Sequence, residues 1–362
     1  MRLDSEDIDA AVAAGVIPQA QADALQAFAA TRRRGPLAQS GQEDENFRFM
    51  TGFNDFFFAI GILLLGTGCA FFTILWPPIA AAALMWALSE LLVRRMRRVL
   101  PGILLSAFFI YFVCLSVPAD LAGSSEPHFP LAGPLARTLF GITGAPLVTA
   151  TNALIATAAA GLYYWRFRLP FALLPIGAGL VVATRSLIEL AFAPIPPTAN
   201  SLLGLACGLA VFVVAMRYDM SDRERLTRRA DCAFWLHLLA APWIAHSLIS
   251  LIVPNFTAVN NAVAGAILLI VAVLSIIAIV IDRRALLVST LLYVGIVIAY
   301  AIGGDWATQI GRDRIWIFFD TLMILGVFVI TIGVGWMPLR RLLLRLISPG
   351  IANRLPPLPD RA

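Results

Sequence analysis

The sequence predicts an all-α fold: a polytopic transmembrane helical bundle of about ten spans, preceded by a small cytoplasmic helical hairpin. Two observations carry this. Sixty per cent of the 362 residues are apolar and only 14% are charged, with a mean hydropathy of +0.84. That balance leaves too much apolar surface for a water-soluble chain. The apolar residues also fall in continuous runs of about 20, the length that crosses a ~30 Å hydrocarbon core, recurring from Asp55 to Trp336. A membrane barrel would show short alternating segments instead.

Residues 1–34 read as the helical hairpin. Ser5 is placed to cap the first helix, Ile8 and Val12 give it an apolar stripe, and Gly15 is placed to end it as the C′ residue. Pro18 stands where the second helix would start at N1, and that helix closes on Arg32, Arg33 and Arg34, cations that suit its C-terminal dipole. Two short helices bury little alone, so the hairpin is expected to dock on the membrane domain, a protein partner or a second copy. A polar linker, 35–53, with the acidic cluster Glu43, Asp44 and Glu45, leads to a membrane domain over 54–337.

The spans are read as 55–75, 78–93, 99–117, 146–165, 169–192, 199–216, 232–253, 258–281, 285–302 and 315–336. All 27 basic residues are arginine. Twenty-three of them fall on one side if the N-terminus is cytoplasmic: five before the first span, then Arg94, Arg95, Arg97 and Arg98, Arg166 and Arg168, the group from Arg217 to Arg229, Arg283 and Arg284, and five in the tail. Arg137, Arg312 and Arg314 fall on the other side, and Arg185 lies within a span. This lopsidedness predicts a bacterial inner-membrane protein with both termini cytoplasmic. It also accounts for the net charge of +5 without nucleic acid. The first span would direct insertion, since the segment before it is acidic rather than a signal peptide.

Two connections and the tail carry patterns of their own. Ser221-Asp-Arg-Glu224 has capping-box spacing and predicts a short cytoplasmic helix over 221–231. The external segment 118–145 is rich in proline and glycine around His128. Within the tail, 338–362, Leu339–Ile347 reads either as an amphipathic helix held by anionic inner-leaflet lipids through Arg340, Arg341 and Arg345, or as an extension of the last span. An internal match at an offset of 61 places Arg185-Ser-Leu-Ile-Glu189-Leu190 over His246-Ser-Leu-Ile-Ser250-Leu251, and Asn200 over Asn261. It suggests that 169–216 and 232–281 are two copies of one hairpin, a construction common in transporters; chance agreement in an Ala/Leu/Ile-rich chain is the alternative.

The turn Gly15-Val16-Ile17-Pro18-Gln19-Ala20-Gln21 looks like the Gly-Ile-Ile-Thr turn of short bacterial oligomerisation hairpins, with Pro18 in place of Thr. Asn46-Phe47-Arg48-Phe49 with Gly52-Phe53-Asn54-Asp55 looks like a family signature at the first span. Together with the order of parts, these stretches resemble a group of uncharacterised bacterial polytopic inner-membrane proteins with a short N-terminal hairpin. The resemblance implies fold and location, and carries no catalytic residue.

No GxSxG, HExxH, P-loop or strand-bound GxGxxG motif is present, and neither cofactor nor metal is implied by three scattered histidines and four widely spaced cysteines. What remains are ionisable groups at membrane depth, each costing about 2.5–3.5 kcal/mol near the bilayer centre. At ~1.5 Å per residue, Arg185, Glu189, His246 and Asp320 all fall in the outer third. They form either a shared polar cavity or separate groups that snorkel to the headgroups and cap a helix. Secondary candidates are Asn54 and Asp55, as a helix cap or gate, and His237, read as a solitary structural histidine rather than a proton carrier. Glu90 is placed to pair with Arg94 one turn on. Two functions from different classes follow: a permease or exporter of a small or amphipathic solute, or a membrane scaffold or sensor whose hairpin binds a protein partner.

Overall fold

The computed structural model describes residues 11–24, 53–72, 77–116, 146–192, 194–222, 225, 227–252, 260–302, 314–346 and 355. The chain divides into two compact units, Met1–Phe49 with Leu358–Ala362, and Met50–Pro357. In the first unit, residues 11–13 and 19–24 are helical. Gly15, at φ 71°, separates them; its N–H reaches the Val12 carbonyl at 2.9 Å and the Val16 N–H the Ala11 carbonyl at 2.9 Å. These are the paired bonds of a Schellman motif, with Gly15 at C′ as expected. Pro18 sits one position earlier than N1, because its carbonyl already accepts from Gln21 and Ala22.

The described residues of the second unit form helices joined by turns, with no strand among them. Its helices are α1 (Phe53–Phe71), α2 (Pro78–Ser89, continued by a π turn over Glu90–Arg95), α3 (Val99–Leu115), α4 (Pro146–Phe167) and α5 (Leu173–Phe192). They continue as α6 (Pro197–Ser221), α7 (Arg228–Ile252), α8 (Asn261–Ile281), α9 (Ala285–Ile302) and α10 (Arg314–Leu346). Among them α1, α4, α5, α6, α7, α8 and α10 are long and apolar enough to cross a membrane. A helix is the one open-ended structure that satisfies its own backbone in hydrocarbon, which is why continuous apolar runs resolve this way.

The helices pair as hairpins across the arginine-rich turns: α2 with α3, α4 with α5, and α6 with α7 share the most extensive interfaces. The expected copies, α5–α6 and α7–α8, share smaller interfaces. The turns themselves are sharp. Arg97, Arg168, Arg225 and Asp282, one each in the α2–α3, α4–α5, α6–α7 and α8–α9 connections, hold φ between 53° and 60°. Left-handed backbone at a residue bearing a Cβ costs on the order of 1–3 kcal/mol, so surrounding contacts must hold it.

Two sequence expectations are corrected here. The predicted helix over 221–231 is absent among the described residues: α6 runs on to Ser221, whose hydroxyl donates back to the Tyr218 carbonyl instead of capping a new helix. Asp222 does the bracketing, accepting from the Thr227 N–H at 2.9 Å and hydroxyl at 2.6 Å just before α7 begins. The tail helix is not separate either. It is the last part of α10, which continues through Pro338 to Leu346. Arg340 is 1% exposed and turned inward, while Arg341 and Arg345 are exposed. The external segment around His128 lies outside the described residues.

Packing within α1–α4 is aromatic: Phe108, Phe109, Phe112 and Tyr163 form its centre, and the Tyr163 hydroxyl donates to Ser89 Oγ at 2.9 Å. Further on, close helix approach depends on glycine. A Cβ on Gly179 of α5 would stand 2.8 Å from the Ala153 carbonyl oxygen of α4, and one on Gly208 of α6 would stand 3.1 Å from the Ile244 backbone nitrogen of α7. Small residues let backbones meet and gain dispersion contacts where lipid supplies no hydrophobic drive. Gly179→Leu is expected to destabilise the protein by about 1–3 kcal/mol, read as a lower melting temperature in detergent. Gly326→Leu, where nothing lies within 4 Å, should leave the melting temperature within experimental scatter. Equal losses at the two positions would refute this account of the α4–α5 crossing.

Candidate functional site

At the arginine-poor end of the second unit, α5, α6 and α7 enclose a cavity of about 190 Å³. Arg185 lines it from α5, Pro197, Asn200 and Ser201 from the first turn of α6. Trp243, His246, Ser247 and Ser250 complete it from α7. The spacing on α7 explains the last set, since residues three and four apart share a helix face. Pro242 stands inside α7 just before this face. Proline has no N–H to offer the Leu238 carbonyl, which weakens the helix ladder at the floor of the cavity.

Arg185 Nη2 donates to Asn200 Oδ1 at 2.7 Å, and its guanidinium carbon lies 4.9 Å from the centre of the Trp243 ring. Its Nε is buried and has no hydrogen-bond partner among the described residues. His246 Nδ1 lies 2.9 Å from the Tyr293 hydroxyl of α9, and its Nε2 lies 3.4 Å from Ser250 Oγ. Of the four residues expected to share an outer cavity, Arg185 and His246 line this one. Glu189 is exposed one turn beyond Arg185 and makes no ion pair with it among the described residues. Asp320 is half-buried in the second turn of α10 and does not line the cavity. The expected carboxylate partners of Arg185 are thus replaced by an amide and an aromatic face, both neutral. A helical pair with arginine first is the weaker order, so Glu189 has little hold on it.

The arginine-rich end holds groups that sequence reasoning treated mainly as topological signals. Asp219, near the end of α6, is 6% exposed and lies against Arg283, which is 2% exposed. Arg283 donates through Nη2 to Oδ1 and through Nε to Oδ2 at 3.1 Å, a two-pronged contact. His237 Nε2 lies 2.8 Å from Asp219 Oδ2, and the residue is fully buried. A carboxylate gripped by arginine accepts only, so His237 carries its proton on Nε2. His237 is therefore hydrogen-bonded and not solitary.

Beside it, Asp282 gathers three elements. Its carboxylate accepts from Arg225 at 3.0 Å and from Trp336 Nε1 at 2.8 Å, with Arg340 at 3.5 Å. Arg225 also donates to the Asp282 carbonyl at 2.8 Å, and Arg284 lies 5.5 Å from the centre of the Trp336 ring. Asp55, in the first turn of α1, pairs with Arg98 at 2.8 Å, while Asn54 beside it is exposed. Glu90 meets Arg94 at 3.3 Å as expected, and also Arg166 at 2.8 Å. Three of the four arginine-rich turns carry an acid nearby in sequence, as in Arg217-Tyr218-Asp219 and Asp282-Arg283-Arg284, while the turn with Arg166 and Arg168 has none.

Compared with protein-family models, curated proteins and solved structures, the chain matches none. Its function therefore has to be argued from these two clusters. Arg283→Met should cost about 3–5 kcal/mol by leaving Asp219 as an uncompensated buried charge, with Asp219→Asn/Arg283→Met recovering part of the loss. Melting temperatures in nanodiscs measure both. Losses that simply add would mean that the two groups do not depend on each other.

Proposed function

We propose that this chain is a ten-span permease or exporter of the bacterial inner membrane, moving a small or amphipathic solute, with both termini cytoplasmic. The observation that carries the reading is the polar cavity between α5, α6 and α7, with Pro242 inside α7 next to the lining residue Trp243. A bundle that served only as an anchor would gain nothing from placing Arg185, His246 and three serines around one space, since polar groups at membrane depth are costly. The count of ten is supported by α2 with its π turn, α3 and α9, apolar helices nearer the lower limit of span length. The orientation is supported by the arginine distribution. Arg341 and Arg345, exposed at the end of α10, would meet anionic headgroups of the inner leaflet.

The size of the cavity narrows the solute. Pockets for drug-sized molecules run to roughly 300–1,000 Å³, so about 190 Å³ admits a few-atom solute or the head of an amphipath. One observation favours the second reading, a scaffold or sensor acting through residues 1–34: Val16, at the tip of the Schellman turn, is 73% exposed. Deleting residues 1–34 would then abolish partner binding and leave the membrane domain folded.

Two measurements test the transport reading. Reporter fusions after Asp120 and after Asp222 should register on opposite faces, the first outside. In a chain whose four native cysteines are replaced by alanine, Ser201→Cys should react with a membrane-impermeant thiol reagent added to intact spheroplasts. Absence of labelling from either face would mark the cavity as closed packing, and the permease reading would fail.

A further inference from the structure

We propose that the cavity holds an anionic group, a carboxylate or a phosphate, on the guanidinium of Arg185. This deepens the permease reading and rests on it only in requiring that the cavity be reachable.

Charge compensation is the starting point. At the arginine-rich end, Asp55, Glu90, Asp219 and Asp282 each meet an arginine within hydrogen-bonding range. Arg185 makes its direct contacts with neutral groups: Asn200 takes one of its donors and Trp243 lies under its face, while the nearby acid Glu189 is exposed one turn on and forms no ion pair with it among the described residues. A guanidinium has five donors in a rigid fork and keeps its charge in any protein environment. The cavity lining contains no carboxylate. An arginine held at membrane depth without a directly paired counter-charge is expensive, and a bound anion reduces that expense.

Geometry selects the kind of anion. The edge of the guanidinium formed by Nε and one Nη accepts two oxygens side by side, the spacing of a carboxylate or phosphate. This chain uses that edge already, where Arg283 grips both oxygens of Asp219. On Arg185 the same Nε is buried without an acceptor among the described residues. The rest of the cavity suits an anion as well. Ser247 and Ser250 bring hydroxyls, Ser201 would have to turn its hydroxyl away from the Pro197 carbonyl that it now meets at 3.0 Å, and the opening turn of α6 has no side-chain cap on its amides. Those amides carry the positive end of the helix dipole. A small anionic solute and the phosphate of a lipid headgroup share this chemistry.

The test uses the full chain, delipidated in a non-ionic detergent. Melting temperature is followed against inorganic phosphate, benzoate, short-chain phosphatidylglycerol and, as a neutral match for benzoate, benzamide. Benzoate or phosphate should raise the melting temperature in proportion to its binding, and benzamide should not. A response to phosphatidylglycerol alone identifies the headgroup as the source; a response to the free anions identifies a solute. Arg185→Lys, which keeps the charge and loses the fork, should weaken binding by about tenfold or more. Arg185→Gln should abolish it.

The proposal is overturned if no anion shifts the wild-type melting curve, or if Arg185→Lys and Arg185→Gln respond as the wild type does. The two readings fail separately. Labelling of Ser201→Cys without any anion response removes the anion and keeps the open cavity. An Arg185-dependent anion response without labelling keeps the site and removes the permease.

Discussion

The arginine-rich end of the second unit is organised around two carboxylates, one buried and one partly buried. Asp219 and Asp282 sit where α6 ends and α8 turns into α9, and arginines from other turns are drawn onto them. An ionised carboxylate taken out of water is unfavourable by several kcal/mol unless opposite charge and hydrogen bonds surround it. That requirement dictates where Arg225, Arg283 and Arg340 go, and through them how the α6–α7 turn, the α8–α9 turn and α10 meet. The left-handed conformations of Arg225 and Asp282 are held by the same bonds. Such pairs are not a large net source of stability, because attraction is spent offsetting desolvation. Their effect is selective: alternative packings leave a charge unpaired.

The two ends of the bundle therefore handle charge differently. One neutralises its acids with arginines that the topology placed nearby. The other holds Arg185 beside an amide, an indole and hydroxyls, with no acid among the residues lining the space. α7 runs between the two, with His237 in the inner network and Trp243, His246, Ser247 and Ser250 at the cavity. Pro242 separates these stretches and weakens the backbone ladder between them. Trp243 also packs against Ala153, Val182 and Ala183, which ties the cavity wall to the close α4–α5 crossing at Gly179. A shift of α7 at Pro242 would thus be felt at the cavity without disturbing the ion pairs.

Much of this was legible in the amino-acid order. Continuous apolar runs gave helices close to their observed limits, and Gly15 ended its helix with a left-handed residue as its lack of a Cβ allows. Placing Arg185 and His246 at one level was possible because helical rise converts residue count into depth. Partners were harder to read. Arg185 was expected on a carboxylate four residues away and instead meets Asn200 across a connection. Arg98 reaches Asp55, 43 residues back, and Arg283 reaches Asp219, 64 residues back. The arginine count that orients the chain also hid these pairings, since it treats every arginine at a turn as equivalent.

The sequence by itself determined that the chain is a membrane-type helical protein, where its helices run, and which of its ends gather arginine. Those properties are sums over local residues: apolar area, helix period and loop charge. Tertiary structure alone decided which acid meets which arginine, that Asp219 and His237 are buried together, and that α5 packs more extensively on α4 than on α6. Each of these depends on where one helix crosses another. Crossing is set by small residues such as Gly179 and Gly208 meeting a complementary surface far away in the chain, and no local pattern records the partner.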